Sequence, residues 1–100
     1  MDILSADNYT KVVSLNTDHA KVHDIDFLQD SSKMITCGED RKFKVWDTSS
    51  WSKTYESEDL GQVVWSCTYA SDGFAGVGLN SGEVRLYNPE FSYQTTYYPI

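Results

Sequence analysis

From Val22 to Asp47 the chain reads VHDIDFLQDSSKMITCGEDRKFKVWD. Apolar and polar residues alternate in KVHDIDFL (21–28), KMITC (33–37) and KFKVW (42–46), the period of a strand with one face turned inward. The intervening QDSSK and GEDR consist of residues that accept tight turns. Three short strands joined by tight turns are therefore predicted, ending at the pair Trp46 and Asp47.

The arrangement returns in VVWSCTYA (63–70), GFAGVGL (73–79) and EVRLYN (83–88). At an offset of 42, Val22 falls on Val64, Ile25 on Cys67, Phe27 on Tyr69 and Asp30 on Asp72. With one residue dropped in the first turn, Phe43 falls on Val84, Lys44 on Arg85, Val45 on Leu86, Trp46 on Tyr87 and Asp47 on Asn88. A period in the low forties built from short strands is the signature of a propeller blade, and no segment carries the 3.6-residue stripe of a helical repeat.

Composition agrees with an all-β chain: 14% of the 100 residues are aromatic, and only six Gly and two Pro occur. The net charge of −7 opposes binding along a phosphate backbone, and Arg41, Lys42 and Lys44 divide between two faces of a strand, so nucleic acid is not an expected partner. No apolar run approaches the roughly 18 residues needed to cross a bilayer, and MDILSADNYT lacks the pattern of a signal peptide. An intracellular chain without membrane insertion is expected, cytoplasmic or else nuclear. Cys37 and Cys67 lie in predicted strands and read as buried, reduced thiols, while Asn8 to Thr10 matches a glycosylation acceptor that carries little weight without a secretory signal.

The first unit resembles a WD repeat of the β-propeller family along its whole length, and VVWSCTYASDGFAGVGLNSGEVRLYN is similar but degenerate. The resemblance implies two four-stranded antiparallel blades plus an outer strand of a neighbouring blade. Residues 1–8 would be a leader, 9–15 that outer strand, 16–57 blade one and 58–98 blade two. SKTYES (52–57) and YQTTYY (93–98) supply the outermost strands, and the neighbour that YTKVVSL (9–15) needs is expected outside this chain. Val22, Ile25, Phe27, Met34, Ile35, Phe43 and Val45 form the expected filling of unit one. Val64, Cys67, Tyr69, Ala75, Val77, Val84 and Leu86 do the same in unit two.

The resemblance also implies a buried hydrogen-bonded set in unit one made of His19, Thr36, Asp40 and Trp46, in which donors offset the desolvation of the turn carboxylate. Unit two has Gly61, Val77, Ser81 and Tyr87 near these places, and so no such set; it relies on apolar packing and on the turn LNSG, where Asn80 and Gly82 tolerate positive φ. Two blades do not close a ring, so further blades are expected in the same or another chain.

Catalysis finds no support. His23 and Asp24 have only His19 as a further imidazole, no nucleophile elbow or phosphate loop occurs, and Asp24 with Asp26 reads as a solvated pair on one strand face. No enzyme activity, metal or cofactor is expected. Binding remains: the resemblance implies a scaffold for multiprotein complexes whose loops on one face meet protein partners. Those loops carry Asp18, Lys21, Glu39, Arg41, Gln62 and Asn80. The alternatives are a non-catalytic propeller domain of a larger enzyme, or a self-assembling two-blade propeller that binds a small ligand. Trp51 reads as a cover for the sheet edge, and Trp65 as facing a following blade.

Overall fold

A computed structural model describes residues 2–4, 11–14, 17, 20–91 and 93–97, with strands 2–4, 11–14 and 93–97 described as backbone. Asp18, His19 and the Asn8 to Thr10 motif lie outside the described residues. Ten strands and no helix occur among them: β1 (Asp2–Leu4), β2 (Lys11–Ser14), β3 (Val22–Phe27), β4 (Lys33–Gly38), β5 (Phe43–Asp47), β6 (Lys53–Glu56), β7 (Val64–Tyr69), β8 (Ala75–Leu79), β9 (Val84–Tyr87) and β10 (Tyr93–Tyr97).

Strands β3-β4-β5-β6 form one antiparallel sheet, blade one, and β7-β8-β9-β10 form the second, blade two. Strand β2 pairs antiparallel with β1, ahead of blade one. The turns follow from their carboxylates. Asp30 accepts from the Ser32 amide and hydroxyl, and Asp47 from the Ser49 amide and hydroxyl, bonds that hold both carboxyls below the usual range. In unit two Asn88 repeats the device on the Glu90 amide. The turn before β5 needs a left-handed residue: Arg41 takes it at φ 65°, and Gly82 takes the matching place at φ 90°, whereas Asn80 is not left-handed.

Alternation sorts the side chains of each blade onto two faces. Opposite residues share a face, so Ile25, Phe27, Met34, Thr36, Lys44 and Trp46 lie on one side of blade one. Asp24, Asp26, Ile35, Cys37, Phe43 and Val45 lie on the other, and that side meets blade two. The shared core joins Ile35, Cys37, Phe43 and Val45 to Val64, Cys67, Tyr69, Ala75, Val77, Leu79 and Tyr87. Phe43 is its hub, with ring centroids 4.9 Å from Tyr87, 5.7 Å from Tyr55 and 6.1 Å from Phe91. Trp51 packs on Met34 and Trp46, over the sheet face rather than at its edge.

Three expected core residues are not core. Val22, Ile25 and Phe27 are 37–38% exposed on the side of blade one that faces away from blade two, although Met34, Thr36 and Trp46 on that side are buried. Val84 and Leu86, on the side of blade two away from blade one, are half-buried. The two thiols are buried and unbridged, and both donate toward the Asp24 carbonyl, at 3.8 Å from Cys37 and 3.5 Å from Cys67. The neighbouring Cys37 thiol and then burial push the Cys67 pKa up, which keeps it in the thiol form.

Asp24 and Asp26 are not the solvated pair their strand suggested. Each uses Oδ1 to accept its following amide, Ile25 and Phe27, both at 2.9 Å. Each uses Oδ2 to accept an amide of blade two: Cys67 at 3.2 Å for Asp24, and Tyr69 at 2.8 Å for Asp26, which also takes the Thr68 hydroxyl at 3.1 Å. The innermost strand of a sheet has an unpaired edge of N–H groups. Here two carboxylates satisfy that edge in both blades at once and tie the blades together.

The Tyr69 hydroxyl is closed off from solvent without a hydrogen-bond partner, and burial pushes its pKa up to about 12. A raised tyrosine contributes stability that is whole below the unfolded pKa near 10 and is lost as pH rises toward 12. Tyr69→Phe removes an unsatisfied hydroxyl and should raise stability by about 1 kcal/mol at neutral pH. It should also shrink, without abolishing, the alkaline loss, since burial raises Tyr55 and Tyr87 as well. Urea unfolding of both proteins at about pH 7 and about pH 11 measures this; equal alkaline losses would remove Tyr69 as a source.

Candidate partner-binding rim

Because the strands alternate in direction, the turn after β4, the turn after β8 and the loop from β6 to β7 emerge on the same rim. Lys21, Glu39, Arg41 and Asn80 are exposed there, and Gln62 is half-buried. Several are already engaged. Arg41 pairs with Asp59 at 2.8 Å, and the Gln62 side-chain oxygen accepts the Ser81 amide at 2.8 Å, stiffening the turn after β8. Lys53 and Lys42 together draw the neighbouring Glu56 carboxyl down to about 2. As an exposed cluster it is worth little to stability.

The centre of the rim is a cluster that the sequence pattern did not single out. The His23 and Trp65 rings stack at 4.1 Å between centroids with 27° between planes. Trp65 Nε1 donates to Asn80 Oδ1 at 2.8 Å. Glu39 Oε1 stands 3.3 Å from His23 Nε2, off the line of a hydrogen bond. The signal was present: an offset of 42 carries His23 onto Trp65, and an offset of 41 carries Glu39 onto Asn80. Each blade thus places a ring against an acceptor in its following turn, and the two rings meet between blades. Trp65 turns toward blade one, not toward a following blade, and remains 50% exposed.

Of the set His19, Thr36, Asp40 and Trp46, the described residues place Thr36 and Trp46 together: Trp46 Nε1 donates to Thr36 Oγ1 at 3.0 Å, fully buried. Asp40 meets Lys44, whose ammonium lies 3.1 Å from Asp40 Oδ2 and donates to the Thr17 carbonyl at 2.6 Å. Lys44 carried only a sign match to Arg85 in the sequence. Yet it is 2% exposed and supplies a cation to the turn carboxylate. Among the described residues no group of three or more His, Cys, Asp or Glu is disposed to hold a metal ion, and no helix is long and apolar enough to cross a membrane.

Residues 9–47 match the family model described as WD domain, G-beta repeat. The match covers 39 of the 100 residues and supports a WD repeat in that segment. The match spans β2 to the end of β5, closing at Trp46 and Asp47, and supports a protein-interaction scaffold in general terms. No curated protein matches the chain. At the end of the matched segment Asp47 acts locally, accepting from the Ser49 and Ser50 amides to open the turn to β6.

Proposed function

We propose that this chain helps to assemble a multiprotein complex, and that its partners dock on the rim around Trp65. The exposed, clamped indole carries the proposal. A large aromatic held rigid by the His23 stack and the Asn80 bond loses little conformational entropy when a partner covers it. Lys21, Glu39, Arg41, Gln62 and Asn80 surround it as the polar rim, and the set of Thr36, Asp40 and Trp46, with His19, holds the turn beneath them. The division into a leader at 1–8, an outer strand at 9–15, blade one at 16–57 and blade two at 58–98 belongs to the same proposal, as do an intracellular setting and the absence of catalysis.

Affinity purification of the tagged chain from its native cells, with bound proteins quantified by mass spectrometry, tests the rim. Trp65→Ala should reduce recovery of the partners about tenfold or more, as expected for a central anchor. Phe74→Ala, at an exposed aromatic beyond the opposite ends of the strands, should leave recovery unchanged. Equal recovery with Trp65→Ala would move the docking site elsewhere.

A further inference from the structure

The chain has two cysteines, one in each blade, and folding brings them together. Cys37 lies on the face of β4 that meets blade two, and Cys67 on the face of β7 that meets blade one, within one shared core. Both Sγ atoms approach the same oxygen, the Asp24 carbonyl, at 3.8 Å from Cys37 and 3.5 Å from Cys67, and the Cys37 thiol is a hydrogen-bond neighbour of Cys67. Cys67 Sγ also reaches the Ile35 carbonyl at 3.7 Å, two residues before Cys37 on β4. The repeat itself does not call for this meeting. Its offsets carry Cys67 back to Ile25 and Cys37 forward to Gly78, so each thiol is particular to its own blade and the two complete each other only at the seam.

We propose that Cys37 and Cys67 form a modification site, a dithiol that a small peroxide converts reversibly into a disulfide joining blade one to blade two. Cys37 is wholly buried, whereas Cys67 is 5% exposed and lines a groove of about 460 Å³ with Asp24, Ser66 and Thr68. Cys67 is therefore the entry point, and so narrow an opening suits an oxidant the size of hydrogen peroxide. The Cys67 thiolate attacks one peroxide oxygen and the O–O bond breaks. Cys67 becomes a sulfenic acid, and the departing hydroxide takes the proton that the thiol released, giving water. The Cys37 sulfur then attacks the Cys67 sulfur while its own proton passes to the leaving hydroxide. The S–S bond forms, the S–O bond breaks and a second water leaves, so two thiols are oxidised and one peroxide is reduced. Thiolate is scarce at Cys67, because the Cys37 thiol, burial and the carboxylates of Asp24 and Asp26 all disfavour it. The pair thus withstands brief exposure and responds to sustained oxidant. The bond would tie β4 to β7 at the seam that also carries the His23 and Trp65 stack, and so fix the two blades beneath the rim.

Treating the folded whole chain with hydrogen peroxide, then mapping its peptides by mass spectrometry without reductant, tests the site. The monomeric wild-type chain should yield a linked Cys37 and Cys67 peptide pair about 2 Da lighter than the two thiol peptides together, and dithiothreitol should restore the thiols. In urea the oxidised chain should unfold with an equilibrium constant at least about tenfold smaller than the reduced chain, because the bond closes a loop in the unfolded state, and reduction should cancel that gain. Cys37→Ser should stop at oxygen adducts on Cys67 and gain no stability. Should that variant fail to fold, the wild-type peptide map and its unfolding curves decide alone. Wild-type thiols that stay reduced, oxygen adducts on Cys67 without the linked pair, links only between separate chains, or a linked pair that forms in urea but not in the folded chain would each overturn the proposal.

Discussion

Replacing Asp24 and Asp26 together by Ala is expected to lower the stability of the chain by about 3–4 kcal/mol, taking about 1.5–3 for each hydrogen bond to a charged group and less where water reaches the freed amide. Four amides lose their acceptors: Ile25 and Phe27 in β3, Cys67 and Tyr69 in β7. Removing two negative charges from a chain of net −7 acts the other way. That gain is a few tenths of a kcal/mol for partly solvated, screened charges, so the lost bonds win. Asn at both positions should cost about half as much, since an amide has one accepting oxygen where the carboxylate has two. Urea unfolding gives the stability difference, and hydrogen exchange at the Cys67 and Tyr69 amides shows where it arises. Unchanged protection at those amides would break the link between the carboxylates and the blade contact.

Phe43→Ala is expected to cost about 3–5 kcal/mol, the range for deleting a buried aromatic side chain. Phe43 is fully buried at the start of β5, its amide donates to Ser57 Oγ at 2.9 Å, and its ring lies between Tyr55 of its own blade and Tyr87 and Phe91 of the other. Those surrounding rings stack or tilt against each other, as Tyr55 and Phe91 do at 4.6 Å, and cannot collapse far into the space left behind. Thermal unfolding followed by near-ultraviolet circular dichroism should show a single transition at lower temperature. A first transition confined to blade two would mean instead that the blades unfold separately. Phe43→Leu should recover more than half of the loss by refilling much of the volume.

Much of the architecture is legible in the chain as written. Period-2 alternation over 21–28, 33–37 and 42–46, and again over 63–70, 73–79 and 83–88, picks out six of the strands, since backbone geometry alone puts successive side chains on opposite faces. The turns are legible because Asp30, Asp47 and Asn88 bond to amides two residues on, a local act. The rim is half legible. The loops that form it follow from the repeat, but the rings at 23 and 65 read as a spare His and an isolated Trp, although both fall at one repeat position.

Alternation tells which side chains share a face, not what that face meets. Asp24 and Asp26 share a face with Ile35 and Cys37 by pairing rules, yet only the stacking of β7 on β3 decides that their second oxygens accept amides 43 residues away. Ile25 and Phe27 are as apolar as Ile35 and Phe43, yet packing leaves them 38% exposed while Met34 and Trp46 on the same face are buried. Lys44 reads as one of three scattered cations until packing removes it from water and sets it against Asp40. Local sterics and turn chemistry act within a few residues and can be read from the order of residues alone. Burial, charge pairing and edge satisfaction depend on which sheets lie side by side, and that is set by contacts between residues some forty positions apart.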